Sequence, residues 1–145
     1  MLRFQVVLDT NVLVAGLRSR RGASFRLLSQ IGVSERFEIN LSVPLVLEYE
    51  DVLKRKTHAE RLHLGLEDVD DVLDFLCAVG NRWQIFFLWR PVLRDPKDDM
   101  VLEVGVQAGC SHIVTHNVSD FEESVRFGIR AVPPRQFLAE LEELE

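Results

Sequence analysis

Phe4-Gln5-Val6-Val7-Leu8-Asp9-Thr10-Asn11-Val12-Leu13-Val14 is the stretch that decides how this chain is built. Val6 to Leu8 form a short continuous apolar run, the pattern of a strand covered on both faces. Val12-Leu13-Val14-Ala15-Gly16-Leu17 then reads as a short helix, ended by the polar turn Arg18-Ser19-Arg20-Arg21-Gly22. Asp9 stands between the two. A carboxylate that ends a buried strand needs a partner, because an unpaired buried charge is very costly. Either it caps the following helix or it faces a cation, with Thr10 and Asn11 placed to orient it.

Working outward, the same alternation repeats. Ala23 to Ile31 has helical spacing at Ala23, Leu27, Leu28 and Ile31. Phe37, Ile39 and Leu41 alternate with Glu38 and Asn40 as a second strand. Ser42 is placed to cap the next helix and Pro44 to sit in its first turn. That helix carries Val46, Leu47, Tyr49, Val52 and Leu53 before the basic stretch Lys54-Arg55-Lys56. A further helix is predicted from Glu67 to Val79, with acids in its first turn that suit a helix N-terminus, and it ends at Gly80-Asn81. Ile85 to Leu88 reads as a short strand, Met100 to Gly109 as a helix with Gly109 as its C-cap, and Ile113 to Thr115 as a strand. Ala131-Val132 is the last predicted strand, followed by a helix from Pro134. Strands alternating with helices imply an α/β fold, a three-layer α/β/α sandwich around a central parallel sheet, in one domain spanning residues 1–145.

The composition agrees. Of 145 residues, 47% are hydrophobic and 28% charged, the balance of a globular chain. No apolar run is long enough to cross a membrane. Met1-Leu2-Arg3-Phe4 runs straight into a strand pattern without a secretory leader's apolar core, so a cytoplasmic protein with no membrane association is expected. Cys77 and Cys110 lie among apolar neighbours without ligand spacing, as buried thiols in a reducing compartment do. A net charge of −6 argues against a surface that grips nucleic acid everywhere, but is compatible with local basic strips.

In parallel sheets ligands sit beyond the carboxyl ends of the strands. Asp9 and the patch Thr115-His116-Asn117-Val118-Ser119-Asp120 both fall at such ends, and Glu48 and Asp99 lie in helices whose N-termini face the same edge. Glu48 shares the apolar face of Leu45 and Val52, whereas Glu50 and Asp51 point to solvent. Of the pair Asp98-Asp99, Asp99 directly precedes Met100-Val101-Leu102 and is assigned to the site, leaving Asp98 as cap or support. Asp120 either joins the acids or caps a helix around Phe121 to Val125. Asn117 offers a neutral oxygen. His116 reads as a surface residue of a polar turn, and His58, His63 and His112 have no partner at ligand spacing. Crowded carboxylates are unfavourable unless a cation or proton neutralises them, so the pattern points to a metal-dependent enzyme.

Four segments together resemble the PIN domains, metal-dependent ribonucleases that include the toxins of bacterial toxin–antitoxin pairs. They are Val7-Leu8-Asp9-Thr10-Asn11-Val12-Leu13-Val14; Ser42-Val43-Pro44 through Glu48 to Val52-Leu53-Lys54-Arg55; Arg94-Asp95-Pro96-Lys97-Asp98-Asp99; and Ile113-Val114-Thr115-His116-Asn117-Val118-Ser119-Asp120-Phe121. The resemblance implies Asp9, Glu48 and Asp99 as core ligands of Mg²⁺ or Mn²⁺, with Asn11, Asp98, Thr115 and Asn117 in support. Many members carry an acid where this chain has Asn117, which leaves Asp120 to supply the remaining charge. The implied activity is cleavage of phosphodiester bonds in single-stranded or structured RNA. The resemblance also leaves room for an antitoxin partner and a homodimer. Arg18, Arg20, Arg21, Lys54 and Arg55 would hold the RNA backbone, unless they are only solvated helix ends. The competing reading is an RNA- or protein-binding module that keeps the fold with little catalysis. A phosphatase of the haloacid dehalogenase type would need a second aspartate where Asn11 stands.

Overall fold

The computed structural model describes residues 3–58, 62, 64–86 and 92–144. Its elements run β1 (Phe4–Leu8), α1 (Thr10–Arg18), α2 (Ala23–Gln30), β2 (Phe37–Leu41), α3 (Val43–His58), α4 (Leu66–Val79), β3 (Asn81–Arg82), α5 (Pro96–Ala108), β4 (His112–Val114), a 3-10 helix (Val118–Phe127), β5 (Arg130–Val132) and α6 (Pro134–Glu142). The strands form one sheet in the order β3-β2-β1-β4-β5, and every neighbouring pair is parallel.

Alternation within the strands decides which helix covers which face. Val7 and Ile113 are paired across β1 and β4, and α5 lies over them, approaching closely at Gly105. Phe4, Phe37 and His112 point the other way and meet Phe137 of α6, with ring centroids 5.2–5.9 Å from it. Both faces are thus covered, which is why Val6, Val7, Leu8, Ile113 and Val114 are buried without a polar break. His112, without an apparent partner in the sequence, is held between Ser111 Oγ (2.7 Å) and Glu140 Oε1 (3.0 Å), and Glu140 is also gripped by Arg130 (2.7 Å).

Local signals place most boundaries. Ser42 Oγ accepts the Leu45 N–H at 3.2 Å, the expected cap of α3. Gly109 ends α5 at φ 65°, a left-handed conformation that glycine adopts without penalty. Three expectations need correction. The helix expected from Met100 begins at Pro96, so that Asp98 and Asp99 lie in its first turn. The strand expected over Ile85 to Leu88 is instead the two-residue β3, Asn81–Arg82; Ile85 and Phe86 are irregular, and Phe87 and Leu88 lie outside the described residues. The helix around Phe121 starts earlier, at Val118, as a 3-10 helix with Asn117 in the N-cap position. Asp120 therefore does not cap it.

β1 lies between β2 and β4, so chain connections leave it in opposite directions. Such a switch point opens a crevice at the carboxyl edge of the sheet. Tyr49 of α3 reaches the edge of this crevice and donates its hydroxyl to the Leu8 carbonyl. Burial pushes the Tyr49 phenol well up, so it remains a donor. Tyr49→Phe is expected to cost about 1–2 kcal/mol, the penalty for a buried acceptor left without its donor, as measured by urea unfolding.

Candidate active site

Asp9 follows the last residue of β1 and is buried, 8% exposed. Its Oδ1 accepts the Thr10 N–H at 2.8 Å, and its Oδ2 accepts the Thr115 hydroxyl at 2.8 Å. Asp9 thus caps α1, and its carboxylate is also fastened to the end of β4. Thr115 is fully buried and is the hub of this joint. Its Oγ1 also accepts the Asn117 N–H at 2.9 Å and lies 3.5 Å from the Asn11 amide nitrogen. Asn11 Oδ1 in turn accepts the His116 N–H at 3.2 Å. The supporting roles expected of Asn11 and Thr115 therefore have a geometric basis, whereas Asn117 contributes through its backbone.

Burial raises the Asp9 pKa, the hydrogen bonds from Thr115 and Thr10 oppose the rise, and the charge of Asp120 adds to it. Asp98, half-buried in the first turn of α5, is pushed up to about 7. Burial is the largest cause; the charges of Asp9, Asp95, Asp120 and Asp99 follow. Asp9, Asp98 and Asp120 are thus brought within electrostatic reach of one another from three separate elements. Glu48 enters from α3 with only 12% of its side chain exposed, and its Oε1 is 3.7 Å from the Lys97 ammonium. Among the described residues, no three acids, histidines or cysteines are gathered tightly enough to hold an ion as they stand.

The Asp98-Asp99 pair is arranged opposite to expectation. Asp99 is 1% exposed, and its Oδ1 accepts the backbone N–H of Leu93 (3.0 Å) and Val92 (3.4 Å). It anchors the segment leading into α5 and is turned away from solvent. The cap of α5 is Asp95, whose carboxylate accepts the Lys97 N–H at 2.9 Å, so Asp98 is free of that duty. Neighbouring helical residues point about 100° apart, so burying one exposes the other to the crevice.

A family model described as PIN domain matches residues 5–119. The chain belongs to the PIN-domain family. The matched segment contains Asp9, Glu48, Asp98 and Asp99 and stops just short of Asp120. No curated protein matches the chain by sequence. Solved structures share the fold at low identity. One is from VapBC2 of Rickettsia felis bound to a DNA fragment from its promoter, with 11% identity and a TM-score of 0.60 over 88% of this chain and 98% of that one. Another is from VapBC-1 of nontypeable Haemophilus influenzae, with 14% identity and a TM-score of 0.57 over 90% and 98%.

Two contacts of this PIN domain had no signal in the sequence. Ser24, buried at the start of α2, lies 2.8 Å from His116 Nε2 and fixes the direction of the ring. Lys97 provides the cation beside Glu48. The basic strips also divide. Lys54 is paired with Asp70 (2.8 Å) and Glu50 (3.1 Å), and Arg55 with Asp51 (3.1 Å). Their charges are thus met in part by neighbouring acids on α3 and α4. Arg18, Arg20 and Arg21 are exposed, with no ion-pair partner among the described residues. No helix among those residues is long and apolar enough to cross a membrane. Cys77 and Cys110 are free, and burial pushes the Cys110 thiol up to about 12, which leaves it unreactive.

Proposed function

We propose that this PIN domain is a Mg²⁺- or Mn²⁺-dependent endoribonuclease and the toxin of a toxin–antitoxin pair. The observation that carries the reading is the gathering of carboxylates from separate elements at the switch point, where the charge of Asp120 opposes ionisation of Asp9 and the charges of Asp9 and Asp120 oppose ionisation of Asp98. Such a cluster is unfavourable alone and favourable around a cation. All its donors are hard oxygens, which suit Mg²⁺ and Mn²⁺. Asp9, Glu48, Asp98 and Asp120 would hold the ion, with Asp98 in the place first given to Asp99. Thr115 and the Thr10 N–H fix the direction of Asp9, and Asp99 fixes the segment before α5, so both act by positioning. When bound, the ion supplies charge neutralisation at the phosphodiester and activation of water. The VapBC assemblies among the solved neighbours support an antitoxin as protein partner.

The test is cleavage of single-stranded RNA by the purified chain as Mn²⁺ is titrated, with a chelator control. Absence of metal-dependent cleavage would favour the binding-module reading. Binding of the strand should draw on the uncommitted arginines. Replacing Arg18, Arg20 and Arg21 with Ser is expected to weaken RNA binding and flatten its salt dependence, because each phosphate contact releases counterions. Replacing Lys54 and Arg55 should leave the salt slope nearly unchanged. The slope of log affinity against log salt, measured in chelator, checks both.

A further inference from the structure

Beside the carboxylate crevice, the carboxyl ends of β2 and β3 and the first turns of α3 enclose an open groove of about 800 Å³. Ser42, Val43, Leu47, Arg82, Trp83 and Gln84 are among its lining residues. The indole of Trp83 is held from behind. Its Nε1 donates to Asn40 Oδ1 at 2.8 Å, and its backbone N–H donates to the Leu41 carbonyl at 2.8 Å. Asn40 is fully buried, and its amide is tied to the Val6 carbonyl (3.1 Å) and Gln5 Oε1 (3.0 Å). The one polar atom of the indole is therefore spent inward, while the residue remains 37% exposed. What it offers outward is the ring.

The fringe of the groove is polar and cationic. Arg82 is exposed and has no ion-pair partner among the described residues. Gln84, also exposed, brings both a donor and an acceptor. Leu47, on the rim, adjoins Glu48 in the chain. Along the sheet edge, Trp83 stands two strands from Asp9, about 10 Å at the usual strand spacing. A ring fixed in place, a guanidinium and an amide are the parts that bind an unstacked base and its phosphate. A second copy or an apolar protein segment would have to bury the unpaired Arg82 charge at a cost.

We infer that this groove seats a nucleobase of the RNA strand, stacked on Trp83 with its phosphate near Arg82, while a neighbouring phosphodiester lies at the carboxylate centre. The inference rests on the ribonuclease reading above and extends it to how the strand is held. The test uses the full chain carrying Trp89→Phe, so that indole fluorescence reports on Trp83 alone. A short single-stranded RNA and a strand of equal length with one abasic position are titrated in chelator, and cleavage is followed separately with Mn²⁺. The intact strand should quench Trp83 emission and the abasic strand should do so more weakly. Trp83→Leu should weaken binding about tenfold, within the range for loss of one stacked base, and raise KM more than it lowers kcat. Trp83→Phe should retain most of the affinity, which separates stacking from misfolding. If the protein cleaves RNA but Trp83→Leu binds and cleaves normally, the groove assignment is overturned while the ribonuclease reading stands. A Trp83 emission that responds to protein concentration or to a protein partner, and not to RNA, also overturns it. If RNA is neither bound nor cleaved, both fall.

Discussion

Asp98→Asn is expected to lower Mn²⁺-dependent RNA cleavage at least about a hundredfold, the scale on which metal sites respond to loss of a supporting group, while leaving the circular dichroism spectrum unchanged. The variant keeps the shape of the half-buried side chain and removes only its charge. Asp99→Asn should behave differently. Asp99 accepts the Leu93 and Val92 N–H groups from a position closed to solvent. Replacing it puts an amide donor where acceptor capacity is needed, at a cost of about 1–3 kcal/mol in stability. Activity should then fall with the folded fraction and recover at lower temperature. If Asp99→Asn removes metal-dependent activity in a fully stable protein while Asp98→Asn remains active, the exchange of roles between the two acids is wrong.

Metal should also change the dependence of stability on pH. Burial and the neighbouring carboxylates push the Asp98 carboxyl up to about 7 in the folded chain, from an ordinary value of 3.8. A raised carboxyl pKa means that the folded state holds the proton more tightly than the unfolded chain. Its contribution to stability is therefore lost as pH rises from about 4 to about 7 and is level above that. Asp9 is shifted in the same direction. Because Asp98 is half open to screening solvent, its share of the loss is on the order of 1 kcal/mol, or about 3 °C in Tm. Mn²⁺ held by the ionised cluster would stabilise the native state. The Tm gain from saturating Mn²⁺ should thus be larger at pH 8 than at pH 5.5. Asp9→Asn should remove most of the gain from metal. Melting curves of both forms, with chelator and with Mn²⁺ at the two pH values, decide it. A wild-type Tm indifferent to Mn²⁺ at pH 8 would sink the cation site itself.

How much of this was legible in the sequence depends on the range of the interactions involved. Strand β1 and its parallel neighbours follow from Val6-Val7-Leu8 and from the alternation of Phe37, Ile39 and Leu41, because a strand buried on both faces excludes polar residues. The start of α3 and the end of α5 follow from Ser42 and Gly109, whose effects act within a turn of backbone. The edge strand did not follow. Asn81-Arg82 is polar because it faces solvent on one side, and its Asn81 amide is used by Gln5 (3.2 Å) and Glu38 (3.3 Å) from two other strands. The more apolar Ile85-Phe86 resembled a strand but is not hydrogen-bonded as one.

The candidate site divides along the same line. By itself the sequence determined the α/β alternation, the placement of Asp9 after a buried strand and the inward face of Glu48, since periodicity and neighbours set these locally. Only the tertiary structure decided which of Asp98 and Asp99 is buried, because helical rotation separates the two and the packing of α5 and the amides of Val92 and Leu93 select Asp99. It also decided that Asp70 of α4 neutralises Lys54, that Ser24 holds His116 and that Asn40 fixes Trp83. Each of these is a contact between residues far apart in the chain, and a short-range pattern carries no record of which distant group folding will bring against a side chain.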